Sequence, residues 1–170
     1  MKCGKNCSVH STCIITNPKN LKIGNNVRID SFSLINSRSK IIIGNYVHIG
    51  SHVFLYSGEQ GIEIKNFSAI SSGVKIYSFT DDYTGKDFFG PFNKNLSKKY
   101  SKSKKIIIKK YCIIGSNAVI LPGTEFGEGT ALGALSLAFT KLKSWSVYHG
   151  NPARLVSARS KKIKNITSKL

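Results

Sequence analysis

Two histidines lie four residues apart in one short segment, and either could accept a proton during catalysis. These are His48 and His52; the chain has two others, His10 near its start and His149 near its end. Histidine is the side chain that most readily gains and loses a proton near neutral pH, so it often acts as a general base. We predict His48 as the general base, with His52 as the second candidate.

An acidic and aromatic segment supplies a second group of candidates. Asp81, Asp82 and Tyr83 follow the point at which the regular pattern of the preceding sequence ends. A carboxylate can orient a histidine or accept hydrogen bonds from substrate hydroxyls, so we predict that Asp82 assists catalysis and that all three bind substrate. They belong to a non-repeating, Lys- and Ser-rich stretch of about 79–105, which we interpret as a functional loop inserted into a rigid scaffold.

The elements that must position these side chains follow a six-residue period. Ile43, Ile49 and Leu55 recur every six positions, and Gly44 and Gly50 directly follow the first two. This period fits neither an amphipathic helix nor an ordinary half-buried strand. It is typical of a hexapeptide β-helix, in which very short strands are separated by corners.

Copies of this segment recur in register along the chain. They begin at Ile23, Ile43, Ile64, Ile108 and Phe126. A coil cannot bury its apolar residues alone, so stacked coils must share one internal core. The copies predict an all-β parallel solenoid in which Ile23, Ile43 and Ile64 stack in one internal column. An ordinary β-sandwich is the alternative, but its strands should alternate with a period of two.

The repeats predict one domain, residues 1–158, followed by a basic tail, residues 159–170. Residues 1–20 read as an irregular entry coil, and residues 141–158 read as a cap that has left the repeat. No run has the length of a transmembrane helix, and the start lacks the apolar region of a signal peptide. We therefore expect a cytoplasmic protein.

The charge balance is strongly basic, with 26 Lys and Arg against 8 Asp and Glu and a formal net charge of +18. Such a charge favours anionic partners and allows weak, peripheral association with an anionic membrane surface. The basic residues are mostly lysines without interleaved stacking aromatics, so we expect no nucleic-acid partner. Cys3, Cys7 and Cys13 lack a standard zinc spacing, and Cys112 occupies an inward repeat position. We expect no metal.

Two motifs complete the sequence pattern. Residues 114–123 read IGSNAVILPG, and residues 150–154 read GNPAR. Together with the repeats, they resemble the left-handed β-helix acyltransferases of the hexapeptide-repeat superfamily, whose members carry an IGANSVVLPGV coil and a closing GNPAK. Within that superfamily the chain is most similar to the small sugar O- and N-acetyltransferases.

The resemblance implies left-handed coils, a homotrimer, acetyl-CoA as donor and an active site between neighbouring subunits. It implies CoA contacts at these positions: Gly115, Ser116, Gly133, Ala134, Lys141, Asn151, Pro152 and Arg154. Lys141 and Arg154 would meet phosphates. Many galactoside- and xenobiotic-type members have a catalytic histidine in or beside the loop, whereas residues 79–105 contain none.

We therefore expect an acetyl-CoA-dependent acetyltransferase that O-acetylates a sugar in surface polysaccharide or lipopolysaccharide biosynthesis. A histidine base would assist direct attack on the thioester. Three alternatives remain: an N-acetyltransferase acting on an amino nucleotide sugar, a non-catalytic solenoid that binds partners, and a metal hydratase of the γ-carbonic anhydrase type.

Overall fold

In the described residues, very short parallel strands wind the chain into seven stacked coils that share one hydrophobic core. The computed structural model describes residues 1–86, 88 and 102–168. The strands of the first four coils are β1 Lys2–Cys3, β2 Ser8–Val9, β3 Ile14–Thr16, β4 Leu21–Ile23, β5 Arg28–Ile29, β6 Leu34–Asn36, β7 Ile41–Ile43, β8 His48–Ile49, β9 Phe54–Tyr56, β10 Ile62–Ile64, β11 Ala69–Ile70 and β12 Lys75–Tyr77.

The later coils follow an inserted hairpin. Its strands are β13 Phe79–Thr80 and β14 Lys102–Ser103, which pair antiparallel. Then come β15 Ile106–Ile108, β16 Ile113–Ile114, β17 Val119–Ile120, β18 Glu125–Phe126, β19 Ala131–Leu132, β20 Leu137–Ala138, β21 Lys141–Leu142, β22 Ser146–His149 and β23 Arg154–Ala158. Most of the predicted loop, Asp87 and residues 89–101, lies outside the described residues.

The strands form three sheets that enclose the core like the faces of a prism. The first sheet has the order β1-β4-β7-β10-β15-β18-β21, the second β2-β5-β8-β11-β16-β19-β22-β23, and the third β20-β17-β12-β9-β6-β3. In each coil, corner 1 leads from the first sheet to the second, and corner 2 leads from the second to the third. Corner 2 comprises residues 10–13, 30–33, 50–53, 71–74, 115–118 and 133–136. Residues 150–153 join β22 to β23 within the second sheet and stack on the last of these corners.

The strand register confirms the predicted internal columns. Ile43 pairs with Ile23 on one side and with Ile64 on the other, and Ile64 pairs in turn with Ile108. All four side chains are buried, and their stacking removes aliphatic surface from water along the full length of the solenoid. A period of six therefore specified the core, and Cys112 lies inside it as predicted.

Two expectations about the ends were wrong. Residues 1–20 are not irregular: β1 to β3 form a complete coil in register with the next one, and a short 3-10 helix, Pro18–Asn20, follows. Residues 141–158 do not leave the repeat at once, because β21 and β22 still pair in parallel with the preceding coil. Only β23 turns back, antiparallel to β22.

The chain then forms the short helix α1, Ile163–Thr167. Within the described ranges, no helix is long and apolar enough to cross a membrane.

Candidate functional site

Corner 2 gathers the small residues of the late coils into one column. Gly115 and Gly133 occupy equivalent positions, with Gly115 N donating to Leu132 O at 2.7 Å and Gly133 N donating to Tyr148 O at 2.8 Å. A Cβ at Gly115 would overlap the Ala134 backbone. Glycine is therefore required here by close packing between coils.

The other predicted cofactor residues divide between two faces. Ser116 and Ala134 follow the two glycines on corner 2, and the Asn151–Pro152 peptide, which is cis, continues that corner into the last coil. Arg154 is adjacent, because it pairs with His149 where β23 returns along β22. Lys141 lies elsewhere, on the outer face of the first sheet.

The ammonium of Lys141 is engaged on that face. Its Nζ is 3.6 Å from Glu125 Oε2, while Lys109 Nζ is 2.9 Å from the other oxygen. The Lys109 hydrogen bond is the main reason that the pKa of Glu125 lies below its usual value. The structure therefore groups the predicted cofactor residues on corner 2 without Lys141.

His48 projects from the outer face of the second sheet, as predicted, and is held by a carboxylate. Its Nε2 lies 2.7 Å from Asp30 Oδ2, and Arg28 Nε donates to Asp30 Oδ1 at 2.6 Å. These contacts hold the pKa of Asp30 below its usual range, and the hydrogen bond to His48 makes the largest contribution. His48 is thus one side chain of an exposed charged cluster on the second sheet.

His52 lies on corner 2, in the column of Phe32, Gly73, Asn117 and Leu135, two residues along the corner from the column that holds Gly115 and Gly133. Backbone hydrogen bonds join successive coils at this corner: Gly73 N donates to Ser51 O at 2.9 Å, and Asn117 N donates to Ser72 O at 3.0 Å. His52 is therefore one coil from Gly73 and two from Asn117, roughly 10 Å at the usual interstrand spacing. The structure thus places His52 on the corner that carries Gly115, Ser116, Gly133 and Ala134, whereas His48 lies on strand β8, just before that corner.

A cavity of about 550 Å³ opens on the third sheet directly beside corner 2. Its lining residues are Phe54, Tyr56, Tyr77, Phe79, Thr80, Asp81, Tyr83, Val119 and Leu121. Phe54 follows His52 by two residues, and Val119 follows Asn117 by two. The volume falls in the range of small-molecule sites, which are mostly apolar with a few fixed polar groups.

The floor of the cavity is aromatic. The ring centre of Tyr77 is 5.3 Å from that of Phe54 and 6.3 Å from that of Tyr56. Burial raises the pKa of the Tyr77 hydroxyl above its usual value, and the neighbouring Tyr83 adds a smaller effect in the same direction. Our sequence reasoning missed this floor, although aromatic residues at outward positions on either side of the buried Leu55 were a usable signal.

The two loop aspartates are arranged differently. Asp82 is only 9% exposed; its Oδ1 accepts hydrogen bonds from Thr84 N at 2.9 Å and Thr84 Oγ1 at 2.7 Å, and its Oδ2 accepts one from Lys86 N at 2.7 Å. Asp82 therefore shapes the turn at the base of the loop. Asp81 lines the large cavity and, with Asp82, Tyr83 and Gly85, a neighbouring one of about 400 Å³.

Metal ligation has no support in the part of the chain that the structure describes. No group of three or more histidine, cysteine or acidic side chains is placed there to hold an ion.

Comparison with known proteins identifies the family. An Escherichia coli dTDP-4-amino-4,6-dideoxy-D-glucose acyltransferase is 34% identical over 122 residues, which are 69% of this chain and 62% of that enzyme. A variant of AntD, an N-acyltransferase from Bacillus cereus in complex with dTDP and coenzyme A, is 39% identical with a TM-score of 0.92. The match covers 99% of this chain and 89% of AntD. The chain belongs to the hexapeptide-repeat, left-handed β-helix acyltransferases.

The fold extends to more distant members of the hexapeptide-repeat acyltransferases. VCA0836 from Vibrio cholerae, a hexapeptide-repeat acetyltransferase, has a TM-score of 0.60 at 19% identity, and the match covers 93% of this chain and 73% of VCA0836. No protein-family model matches the chain. The chain spans about three fifths of the length of the Escherichia coli relative. The all-β solenoid and its left-handed class are confirmed.

Proposed function

We propose that the protein transfers an acyl group from coenzyme A to the amino group of a dTDP-linked 4-amino sugar. The observation that carries this proposal is the cavity beside corner 2, whose lining residues include Asp81. Support comes from the relatives: AntD is an N-acyltransferase, and one of its structures holds dTDP-4-amino-4,6-dideoxyglucose with coenzyme A.

The chemistry of the cavity favours an amine over a hydroxyl as acceptor. A protonated amine gains a charge-assisted hydrogen bond from a carboxylate, which a neutral hydroxyl does not match. The apolar floor of Phe54, Tyr56 and Tyr77 suits a sugar that has lost hydroxyl groups, because each buried hydroxyl needs a partner. N-acylation therefore replaces O-acetylation, our first expectation, as the favoured reaction.

The coenzyme A donor fits corner 2. Gly115, Ser116, Gly133 and Ala134 supply four small residues on that corner, and the Asn151–Pro152 turn and Arg154 lie at its far end. Arg154 supplies a permanent positive charge suited to a phosphate. The acyl group remains open between acetyl and larger groups, because AntD also binds 3-hydroxybutyryl-CoA.

The protonated amine first loses a proton, which frees the nitrogen lone pair. The nitrogen then attacks the thioester carbonyl, a C–N bond forms, and the C–S bond breaks to release the thiolate of coenzyme A. The nitrogen passes a second proton to a base to become the amide, and the thiolate takes up one proton to leave as the free thiol. We propose His52 as that base, because it lies on the donor corner two residues before Phe54, which lines the cavity, and we propose that Asp81 binds the amine.

The remaining expectations are part of the same proposal. A homotrimer, a cytoplasmic location and a role in surface polysaccharide synthesis fit a nucleotide-sugar enzyme of this family. Peripheral membrane association has no support beyond the positive charge.

Release of coenzyme A thiol tests the function directly. The purified protein is incubated with dTDP-4-amino-4,6-dideoxyglucose and either acetyl-CoA or 3-hydroxybutyryl-CoA. The control acceptor has a hydroxyl at C4 and is otherwise identical. Acyl transfer to the amine alone is expected, whereas transfer to the hydroxyl would restore O-acylation. Lack of transfer together with no thermal stabilisation by coenzyme A would favour the non-catalytic solenoid.

A further inference from the structure

The ring of Phe32 lies flat against the imidazole of His52. The ring centres are 5.1 Å apart and the planes differ by 20°. Phe32 is 59% exposed, a large fraction for phenylalanine, which is most often buried in proteins. We infer that Phe32 is a positioning residue for the proposed reaction: it holds the His52 ring in the orientation that accepts the amine proton.

The two residues sit at equivalent points of adjacent coils, and several bonds fix their backbones. His52 N donates to Ser31 O at 3.0 Å, and the Ser31 and Ser51 hydroxyls lie 3.2 Å apart. Phe32 N donates to Thr12 Oγ1 at 2.9 Å. Both φ angles are positive, +58° and +57°. The backbone of the corner thus determines the positions of the two Cα atoms, and the stacking contact determines the orientation of the two rings.

Orientation matters because His52 is exposed. A free imidazole at a surface rotates among several positions, and only some point a ring nitrogen at the acceptor. A stacked partner reduces that freedom before substrate binds, so less ordering remains for the transition state. An aromatic pair is worth a modest free energy, equivalent to about a three- to tenfold change in rate.

The chain provides a matched control at corner 1. Tyr46 stacks on Phe67 with ring centres 5.0 Å apart, and its φ is also positive, +55°. Tyr46 therefore has the same local conformation and an equivalent ring contact on the next coil. It lies at the other corner, away from His52 and the cavity, so removing its ring should affect folding without affecting proton transfer.

The test, which rests on the proposed function, compares kcat and KM for the unmodified enzyme, Phe32→Ala, Phe32→Tyr and Tyr46→Ala. Phe32→Ala is expected to lower kcat about three- to tenfold with KM for the amino sugar unchanged. Phe32→Tyr should keep the stack and the rate, and Tyr46→Ala should keep the rate. In a His52→Ala background, Phe32→Ala should have no further effect, because the group that it positions is gone.

Proton NMR of the histidine rings gives a readout that does not depend on turnover. The ring current of Phe32 should shift the His52 ring protons, assigned with His52→Ala, and Phe32→Ala should abolish that shift.

Four results would overturn the inference. They are unchanged His52 ring-proton signals in Phe32→Ala, an unchanged kcat in Phe32→Ala, a loss of kcat in Tyr46→Ala equal to that in Phe32→Ala, or the same loss of kcat when Phe32→Ala is added to His52→Ala. Full activity in His52→Ala would remove the base assignment and this inference while acyl transfer stands. No transfer by the unmodified enzyme would remove the proposed function as well.

Discussion

Corners 1 and 2 have similar backbone conformations, but they carry different kinds of side chain. At corner 1, Tyr46, Phe67, Tyr111 and Trp145 form a continuous stack, with successive ring centres 5.0, 5.3 and 6.0 Å apart. At corner 2, residues of the same positive φ include His52, Asn117 and Leu135, but rings occur only in the early coils. The same left-handed backbone conformation therefore supports a stack of aromatic rings along corner 1, whereas the later coils of corner 2 carry no such stack.

The chain end reinforces this difference. Arg159 donates to the backbone oxygens of Tyr111 and Gly129 at 2.7 and 2.9 Å. Lys164 lies 5.1 Å from the centre of a Trp145 ring and 2.6 Å from Glu128. The late part of corner 1 is thus contacted by the C-terminal segment, whereas the late part of corner 2 presents glycine, serine and alanine beside the exposed Leu135. One edge of the solenoid therefore contributes to packing, and the other is the edge to which we assign ligand binding in the proposed function.

The largest expected effect separates the two exposed histidines. His52→Ala should lower kcat about a hundredfold or more, the usual contribution of a general base. His48→Ala should cost much less, because His48 lies on the second sheet, bonded to Asp30. Steady-state kinetics with saturating donor measures both, and the reverse order would return the role to His48.

A bulky ring on the late part of corner 2 should block the proposed donor site. Ala134 is exposed and follows the close-packed Gly133, so Ala134→Trp should fold while covering the small residues to which we assign donor binding. We expect KM for the acyl donor to rise about tenfold or more, with the melting temperature preserved. Ala134→Ser is the control and should behave like the unmodified protein; an unchanged KM in Ala134→Trp would place the donor elsewhere.

Breaking the corner 1 stack should affect stability alone. Phe67 packs between Tyr46 and Tyr111, so Phe67→Ala loses two aromatic pairs, about 2 kcal/mol of the free energy of unfolding. Leu135→Ala, at the 73% exposed corner 2 position, should cost under about 0.5 kcal/mol. Chemical denaturation compares them, and equal losses would show that the corners do not differ in this way.

The smallest effect concerns the acidic side of the pH range. Lys65 and Lys105 hydrogen-bond Glu63 and hold its pKa below the usual value. A lowered folded-state pKa contributes stability above the unfolded-state value, and that contribution is lost as pH falls through the folded-state value. Glu63→Gln should therefore cost under about 1 kcal/mol at pH 7 and reduce the loss of stability on acidification. A steeper acid dependence in the variant would contradict this.

The sequence specified the scaffold because burial in a solenoid is a local, periodic rule. Every predicted column residue from Ile23 to Phe126 is buried. The rule became unreliable at the ends. In the first coil cysteines stand where later coils have isoleucine or valine, and in the last coil Tyr148 stands where earlier coils have isoleucine, leucine or valine. Strand pairing with a regular neighbour nevertheless kept both segments in the repeat.

The site was predicted only in part. Sequence alone determined the β-helix, the family resemblance, the small residues of the late coils and the acidic loop as candidates. It ranked His48 above His52, but the two are close in sequence and both point outward, so spacing alone gave little ground for that order. Only the tertiary structure decided that His52 shares a corner with Gly115 while His48 faces Asp30. The reason is physical: spacing along the chain determines which residues face inward, whereas the stacking of coils determines which outward side chains from distant coils lie together.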